Sequence, residues 1–406
     1  MIYDFKASGN YFKLDFDIQL EKDQQVYCFI GENGVGKTKL LQTMANIMIY
    51  RHVLFSGKIK NIVKNPLFEF GSHNLISEVK DLELLTSDFI QINNGFGESQ
   101  DLHSGLNTIQ LKQVVERMTT WRDMLPSVRV EHINKPLLFI SAKHRGYITG
   151  IDDNGIMNLP TSRKQNFIDN FLHTYNSIND RYISNDSVTN WLLQRVMINR
   201  SIPGTEKLYS EALFVLNCLQ QIAPELVWIK QDNGSICDNF SYDDGKLLIS
   251  GLPIEGLSTG YASILRIIQE IVAGLSAWDL ENNIDLHNAD GIVFIDEIDL
   301  HLHPKWQFKI IDLLKEFFPK VTFYITTHSP LVLFNLKNGE GYKLNKDEKN
   351  LVTTQKIEQN NMQFIGDIIK QFFDVDGVSI RKADEDKMKQ ARKNLLDFIK
   401  ENQDEQ

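Results

Sequence analysis

The sequence predicts an α/β fold with a parallel sheet at its centre, and three observations carry that expectation. Val26-Tyr27-Cys28-Phe29-Ile30 is a short apolar run. The glycine-rich octet GENGVGKT, residues 31–38, follows it, and then Leu40, Leu41, Met44, Ala45 and Met48 at helical spacing. Much further on, Gly291 to Ile295 and Val321 to Ile325 are continuous apolar runs of the kind buried on both faces of a parallel sheet, with amphipathic Lys305 to Phe318 between them. Strand, helix, strand at this spacing is a βαβ unit. Third, 406 residues at 42% apolar and 24% charged suit a globular protein of one large α/β domain with an insertion, or of two domains.

From the start of the chain, Lys13 to Leu20 alternates apolar and polar residues and reads as a half-buried strand. A turn over Glu21–Gln25 leads into the Val26 strand, so the chain opens on a small antiparallel β element. Residues 51–245 read as a mostly helical insertion with some core strands. Val114 to Trp121, Lys164 to Tyr175 and Thr189 to Ala223 are its helical stretches, the last broken at Pro203-Gly204. Leu137 to Ile140 is a buried-strand candidate, and an NG and a DDG turn mark short strands at Trp228-Ile229 and Lys246 to Ile249. Ser263 to Leu275 is an apolar-periodic helix. Phe364 to Phe373 is periodic too, and a charged helix is expected over Asp384 to Asn402. The expected division is a core of 1–50 and 246–345, the insertion 51–245, and a C-terminal helical segment 346–406.

A net charge of −10 argues against a chain that coats nucleic acid by bulk electrostatics. The best local basic clusters are Lys58, Lys60 and Lys64, and Lys143, His144 and Arg145, which leave nucleic acid a weak expectation. Cys28, Cys218 and Cys237 form no CxxC pair, so neither a zinc site nor a disulfide framework is supported. With no apolar stretch of 18 residues and no signal-like start, no membrane association and a cytoplasmic location are expected.

The octet Gly31, Glu32, Asn33, Gly34, Val35, Gly36, Lys37, Thr38 fits GxxxxGK[ST] at every fixed position, with Lys39 following inside the helix. Such a loop turns successive N–H groups onto an anion at a helix N-terminus. Lys37 would reach the terminal phosphates of ATP, and Thr38 would offer its hydroxyl to Mg²⁺. The strand Ile292 to Ile295 ends in Asp296-Glu297, the Walker B arrangement. Asp296 would hold Mg²⁺, and Glu297 would orient and deprotonate the attacking water. Two carboxylates at a strand's C-terminal end face the ligand crevice of such a sheet.

Leu257-Ser258-Thr259-Gly260 resembles the signature motif of ABC-type ATPases, LSGGQ in transporters and LSxG more widely. The resemblance implies that Ser258, Thr259 and Gly260 bind the γ-phosphate held by another subunit's P-loop. Thr326-Thr327-His328-Ser329-Pro330 resembles the switch-histidine loop, whose imidazole contacts that phosphate. Asp299 matches the D-loop, which implies a place at the dimer interface, and His301 and His303 read as positioning or packing residues. The run DEIDLHLHPKWQ followed by TTHSP resembles the stand-alone RecF/SMC-like and OLD-like branch, which includes Septu-type and retron-linked anti-phage ATPases.

The resemblance covers about residues 1–50 and 250–345. It implies an ABC-type head that dimerises around two ATP and two Mg²⁺, or assembles further, and acts as a switch. The chain shows no Toprim, HNH or zinc-hook pattern, so the implied partner is a separately encoded nuclease or toxin. A DNA-repair ATPase and a transporter's nucleotide-binding subunit are the alternatives. Gln91 and Arg145 both stand where a Gln-loop sensor could lie, and Tyr11 and Phe12 are candidates to contact adenine.

Overall fold

The computed structural model describes residues 4–9, 14–51, 135–142, 145–146, 148, 188–196, 206–224, 240–243, 246–249, 251–278 and 285–357. Outside them lie Tyr11, Phe12, Lys58, Lys60, Lys64, Gln91, Lys143, His144 and Cys237. The expected helices over 114–121, 164–175, 364–373 and 384–402, and the strand at 228–229, also lie outside.

Eight strands among the described residues form one mixed sheet. They are β1 Asp4–Gly9, β2 Leu14–Gln19, β3 Val26–Ile30, β4 Leu137–Ile140, β8 Gly291–Ile295, β9 Val321–Thr327, β10 Gly341–Lys346 and β11 Leu351–Lys356. Their order is β1-β2-β11-β10-β3-β9-β8-β4. Strands β10, β3, β9, β8 and β4 run parallel, while β1 and β2 form the expected antiparallel pair. A separate antiparallel sheet joins β5 Phe240–Asp243, β6 Lys246–Ile249 and β7 Leu252–Pro253. The α/β expectation therefore holds, with β4 contributed by the 51–245 region.

Every residue of β3, β8 and β9 is buried, which is why these strands read as unbroken apolar runs. One face carries an aromatic ribbon set by the register: Tyr27 opposite Tyr324, Tyr324 opposite Phe294, Phe294 opposite Phe139. Their ring centroids are 4.9, 5.0 and 6.0 Å apart, and each offset stack is worth roughly 0.5–1.5 kcal/mol beyond its buried area. The phenol of Tyr27 donates to the Glu21 carbonyl at 2.9 Å, so the ribbon carries its polar end without loss.

The opposite face packs Cys28, Ile30, Val293, Ile295 and Ile325 into one cluster with four helices, three of which precede β8 in the chain. Those three are α2 Val188–Val196, α3 Glu206–Ile222 and α4 Thr259–Trp278. A buried polar link ties them together. Arg195 Nε donates to Glu211 Oε2 at 2.8 Å, and Ser276 Oγ donates to Glu211 Oε1. Helix α1 Lys37–Arg51 follows the glycine loop, and α5 Pro304–Phe317 connects β8 to β9. His303 caps α5, its Nδ1 accepting from Lys305 N, and Pro304 supplies the preset first turn.

One expectation is corrected. The segment after residue 345 does not begin as a helix, because Leu351–Lys356 is strand β11 in the main sheet. The turn before it explains the reversal: Asp347 Oδ1 accepts from Lys349 N and Leu351 N, and Asn350 sits at φ 66°. No helix among the described residues is long and apolar enough to cross a membrane.

Candidate active site

Three chain segments converge at the C-terminal ends of β3, β8 and β9. The first is the glycine loop between β3 and α1. Gly34 and Gly36 sit at φ 79° and 104°, in the left-handed region that glycine tolerates. A Cβ on Gly36 would also stand 2.8 Å from Leu14 Cδ1, so the loop is closed down on β2. Val35 is buried, while Glu32, Asn33 and Gly34 are exposed at the rim. Leu40 N donates to Gly36 O at 2.8 Å, starting α1 directly behind the loop and leaving its first N–H groups to face the loop's mouth.

Lys37 is only 5% exposed. Its ammonium donates to the carbonyls of Gly31 at 2.7 Å and Glu32 at 2.9 Å. Burial pulls its pKa down to about 8, against the opposing pull of Glu297, Asp296 and Asp299. Lys39 lies one step into the helix, where its carbonyl accepts from Thr43 Oγ1 at 2.8 Å.

The second segment is the turn after β8. Asp296 accepts the Thr38 hydroxyl at 3.0 and 2.9 Å on its two oxygens, and the Thr326 hydroxyl at 2.7 Å. Asp296 N donates to Ile140 O at 3.0 Å, continuing the β4 ladder. Glu297 has φ 48°, a position few non-glycine residues occupy. Thr326 holds it there: Glu297 N donates to Thr326 Oγ1 at 2.8 Å, and Ile298 N donates to Thr326 O at 2.9 Å.

The third segment is the loop after β9. His328 Nε2 lies 3.9 Å from Glu297 Oε1. Burial first, then the charge of Lys37, lower its pKa below the ordinary imidazole range, so it is neutral at pH 7. Asp299 Oδ1 accepts from Thr327 Oγ1 at 2.5 Å and His328 N at 3.1 Å. Gln307 reinforces the same join, donating to Leu302 O at 2.8 Å and accepting from Ser329 Oγ at 2.7 Å. Within this chain Asp299 therefore braces the histidine loop.

Lys37, Thr38, Asp296, Glu297 and His328 thus form one cluster. Ser258, Thr259 and Gly260 do not join it; they line an open groove of about 530 Å³ together with His301, Lys305 and Trp306. Ser258 and Thr259 are exposed at the start of α4. Gly260 is needed for close approach, since a Cβ there would lie 2.7 Å from Trp306 Cζ3 and 3.1 Å from His301 O.

The cluster suits a nucleotide and Mg²⁺. No group of three or more His, Cys, Asp and Glu that could cage a metal occurs among the described residues. Thr38 and Asp296 offer one hydroxyl and one carboxylate side by side. Mg²⁺ commonly takes one or two protein ligands, with phosphate oxygens and water completing its octahedron.

Sequence reasoning missed Thr326 and Gln307 as braces, although Thr326 lay inside the quoted TTHSP run. It also left Arg145 open as a sensor. Arg145 is 1% exposed, and its Nη2 donates to Asp296 O at 2.8 Å and to Glu297 O, so it meets the backbone of the carboxylate turn.

Comparison with known proteins gives the chain a family match and several relatives. Residues 251–333 match the family model described as "AAA domain, putative AbiEii toxin, Type IV TA system". The chain is 25% identical over 385 residues to a Septu protein PtuA of Bacillus mycoides (strain KBAB4), covering 92% of this chain and 44% of that protein. It is 25% identical over 364 residues to a Septu protein PtuA of Bacillus thuringiensis, covering 88% and 79%. Over 115 residues it is 37% identical to the Retron Ec83 probable ATPase of Escherichia coli, covering 26% and 21%. The chain thus spans less than half the length of the first of these relatives.

Proposed function

We propose that this chain is a P-loop ATPase of the ABC type, closed by ATP into a dimer, opened by hydrolysis, and coupled to a separately encoded nuclease or toxin in anti-phage defence. The observation that carries the dimer is the separation of the two phosphate-facing features. The groove at Ser258, Thr259 and Gly260 is lined by no residue of the Lys37, Thr38, Asp296, Glu297 and His328 cluster. A serine at a helix N-terminus is a phosphate site that lacks its nucleotide loop, and a second copy of the chain supplies one.

In each shared site Lys37 and the N–H groups of residues 31–39 would hold the phosphates. Thr38 and Asp296 would hold Mg²⁺, whose charge offsets that developing on the transferred phosphoryl group. Glu297 would take the proton of the attacking water, and neutral His328 would hydrogen-bond the terminal phosphate from a loop fixed by Asp299. Ser258, Thr259 and Gly260 of the second copy would complete the cage. The names of the relatives support an ATPase of the anti-phage kind, and the net charge of −10 speaks against one that works by coating DNA; action through a partner in the cytoplasm belongs to the proposal.

Mixing tests the shared site. Lys37→Ala and Ser258→Arg proteins should each be inactive. Each mixed dimer would retain one intact site, so an equimolar mixture should recover about a quarter of wild-type turnover. No recovery where mixed dimers demonstrably form would sink the arrangement. Gly260→Ala gives a second expectation. The new Cβ displaces Trp306, so turnover should fall by roughly tenfold or more while ATP affinity of the isolated subunit stays unchanged. Equal loss of both would show that the groove merely supports the fold.

A further inference from the structure

We propose that Arg145 is a positioning residue for hydrolysis, clamping the backbone of the Asp296–Glu297 turn so that the Glu297 carboxylate keeps its aim. The inference rests on the reading of Glu297 as the group that takes the water's proton.

The turn is held from two sides. On the β9 side, Thr326 fixes the N–H groups of Glu297 and Ile298. On the β4 side, a single nitrogen of Arg145, Nη2, donates to the carbonyls of both Asp296 and Glu297. Leu300 N also donates to Glu297 O at 2.9 Å, which leaves Asp296 O with Arg145 as its side-chain donor. Glu297 occupies a left-handed conformation, which persists only where surrounding contacts over-determine it. Without Arg145, Asp296 O loses its side-chain donor and Glu297 O keeps only the Leu300 N–H, so the turn relaxes toward an ordinary φ and the carboxylate swings with it.

Arg145 is also placed as a dedicated part. It is among the largest fully buried side chains, and its Nε and Nη1 have no hydrogen-bond partner among the described residues. Burial pulls its pKa down to about 10, opposed by Glu270, Asp296, Asp299 and Glu297. Among the described residues a cation enclosed with two unpaired donors is costly, and the carbonyls it does reach are those of the carboxylate turn. Its neighbour Gly146 packs so closely on the His301 ring that a Cβ would lie 2.8 Å from Cδ2 and Nε2. The pair 145–146 therefore touches both the carboxylate turn and the turn that lines the Ser258 groove. Glu270, the leading carboxylate around Arg145, stands on α4, the helix that Ser258 precedes.

The test measures ATP binding, kcat and KM of the full chain for Arg145→Lys, Arg145→Gln, Glu297→Gln and the double variant Arg145→Gln/Glu297→Gln. Arg145→Gln should bind ATP within about threefold of wild type and lose about 10²-fold in kcat at unchanged KM. Arg145→Lys, which keeps a charged donor, should recover part of that loss. Because Arg145 acts through Glu297, the double variant should be no slower than Glu297→Gln alone. Wild-type turnover in Arg145→Gln beside an inactive Glu297→Gln would overturn the proposal alone. Active Glu297→Gln would overturn the assignment of the base, and this proposal with it. Should Arg145→Gln fail to fold, Arg145→Lys decides: losses of binding, kcat and thermal stability in parallel would reduce Arg145 to a structural part and overturn the proposal.

Discussion

Glu297→Gln should bind ATP as tightly as wild type and hydrolyse it about 10²–10⁴-fold more slowly. The amide keeps the side chain's shape at φ 48° and leaves the N–H bond to Thr326 untouched. What it removes is the proton acceptor. The nucleotide loop and the Thr38–Asp296 pair remain, so binding is spared. If the closed dimer is the state that ATP favours, this variant accumulates there and fixes the partner in one output, always restrained or always active. Turnover reads the chemistry. Toxicity in cells that co-express a candidate nuclease or toxin effector reads the coupling. Wild-type hydrolysis would reject Glu297 as the base, and identical cell outputs with a stable complex would reject ATP-gated control.

Lys37→Ala should weaken ATP binding severely. Removing one member of a buried charge pair costs about 2–5 kcal/mol, a weakening of roughly thirtyfold to several thousandfold. The ammonium is already desolvated and held on two carbonyls, so a phosphate meets a fixed charge rather than a mobile one. The same burial predicts a pH dependence in the wild type. The free protein loses the Lys37 proton above about pH 8, while the phosphate-bound form requires it. Binding therefore takes up a proton in that range, and affinity falls as pH rises, by up to about tenfold per unit. Calorimetric titration between pH 7 and 9.5 measures it. A flat profile would show that the charge of Lys37 does not govern binding.

The parts of this site that were legible in the sequence are those whose physics is local. A phosphate loop needs its strand, its glycines and its helix in one stretch, and β3 to α1 supplies all three. Strands β8 and β9 are buried on both faces, so they read as unbroken apolar runs bracketing Asp296 and His328. Ser258 was legible as the start of a periodic helix. What stayed hidden depends on contacts far apart in the chain. Arg145 is a charged residue after a short strand, and nothing around it in the sequence announces that it will be enclosed against Asp296 and Glu297. Strand β11 was read past because LVTTQK is short and only partly apolar. Its signal was the Asp347-to-Asn350 turn between two alternating stretches, which is hairpin chemistry rather than hydrophobicity.

That overlooked strand sets a timetable for the newborn protein. Among the described strands, β2 reaches the rest of the main sheet only through β11, with Asp15, Phe16 and Asp17 opposite Leu351, Val352 and Thr353. The bond from Gln19 N to Thr354 Oγ1 spans 335 residues. At synthesis rates of about 5–20 residues per second, the opening strands wait roughly 20–70 s for the strand that docks them. Leu14, the wall behind Gly36, waits with them. A ribosome-bound chain that has already made its Lys37 and Glu297 therefore still lacks a finished phosphate loop. The phosphate loop gains the wall behind Gly36 only after Leu351 to Thr353 have been translated.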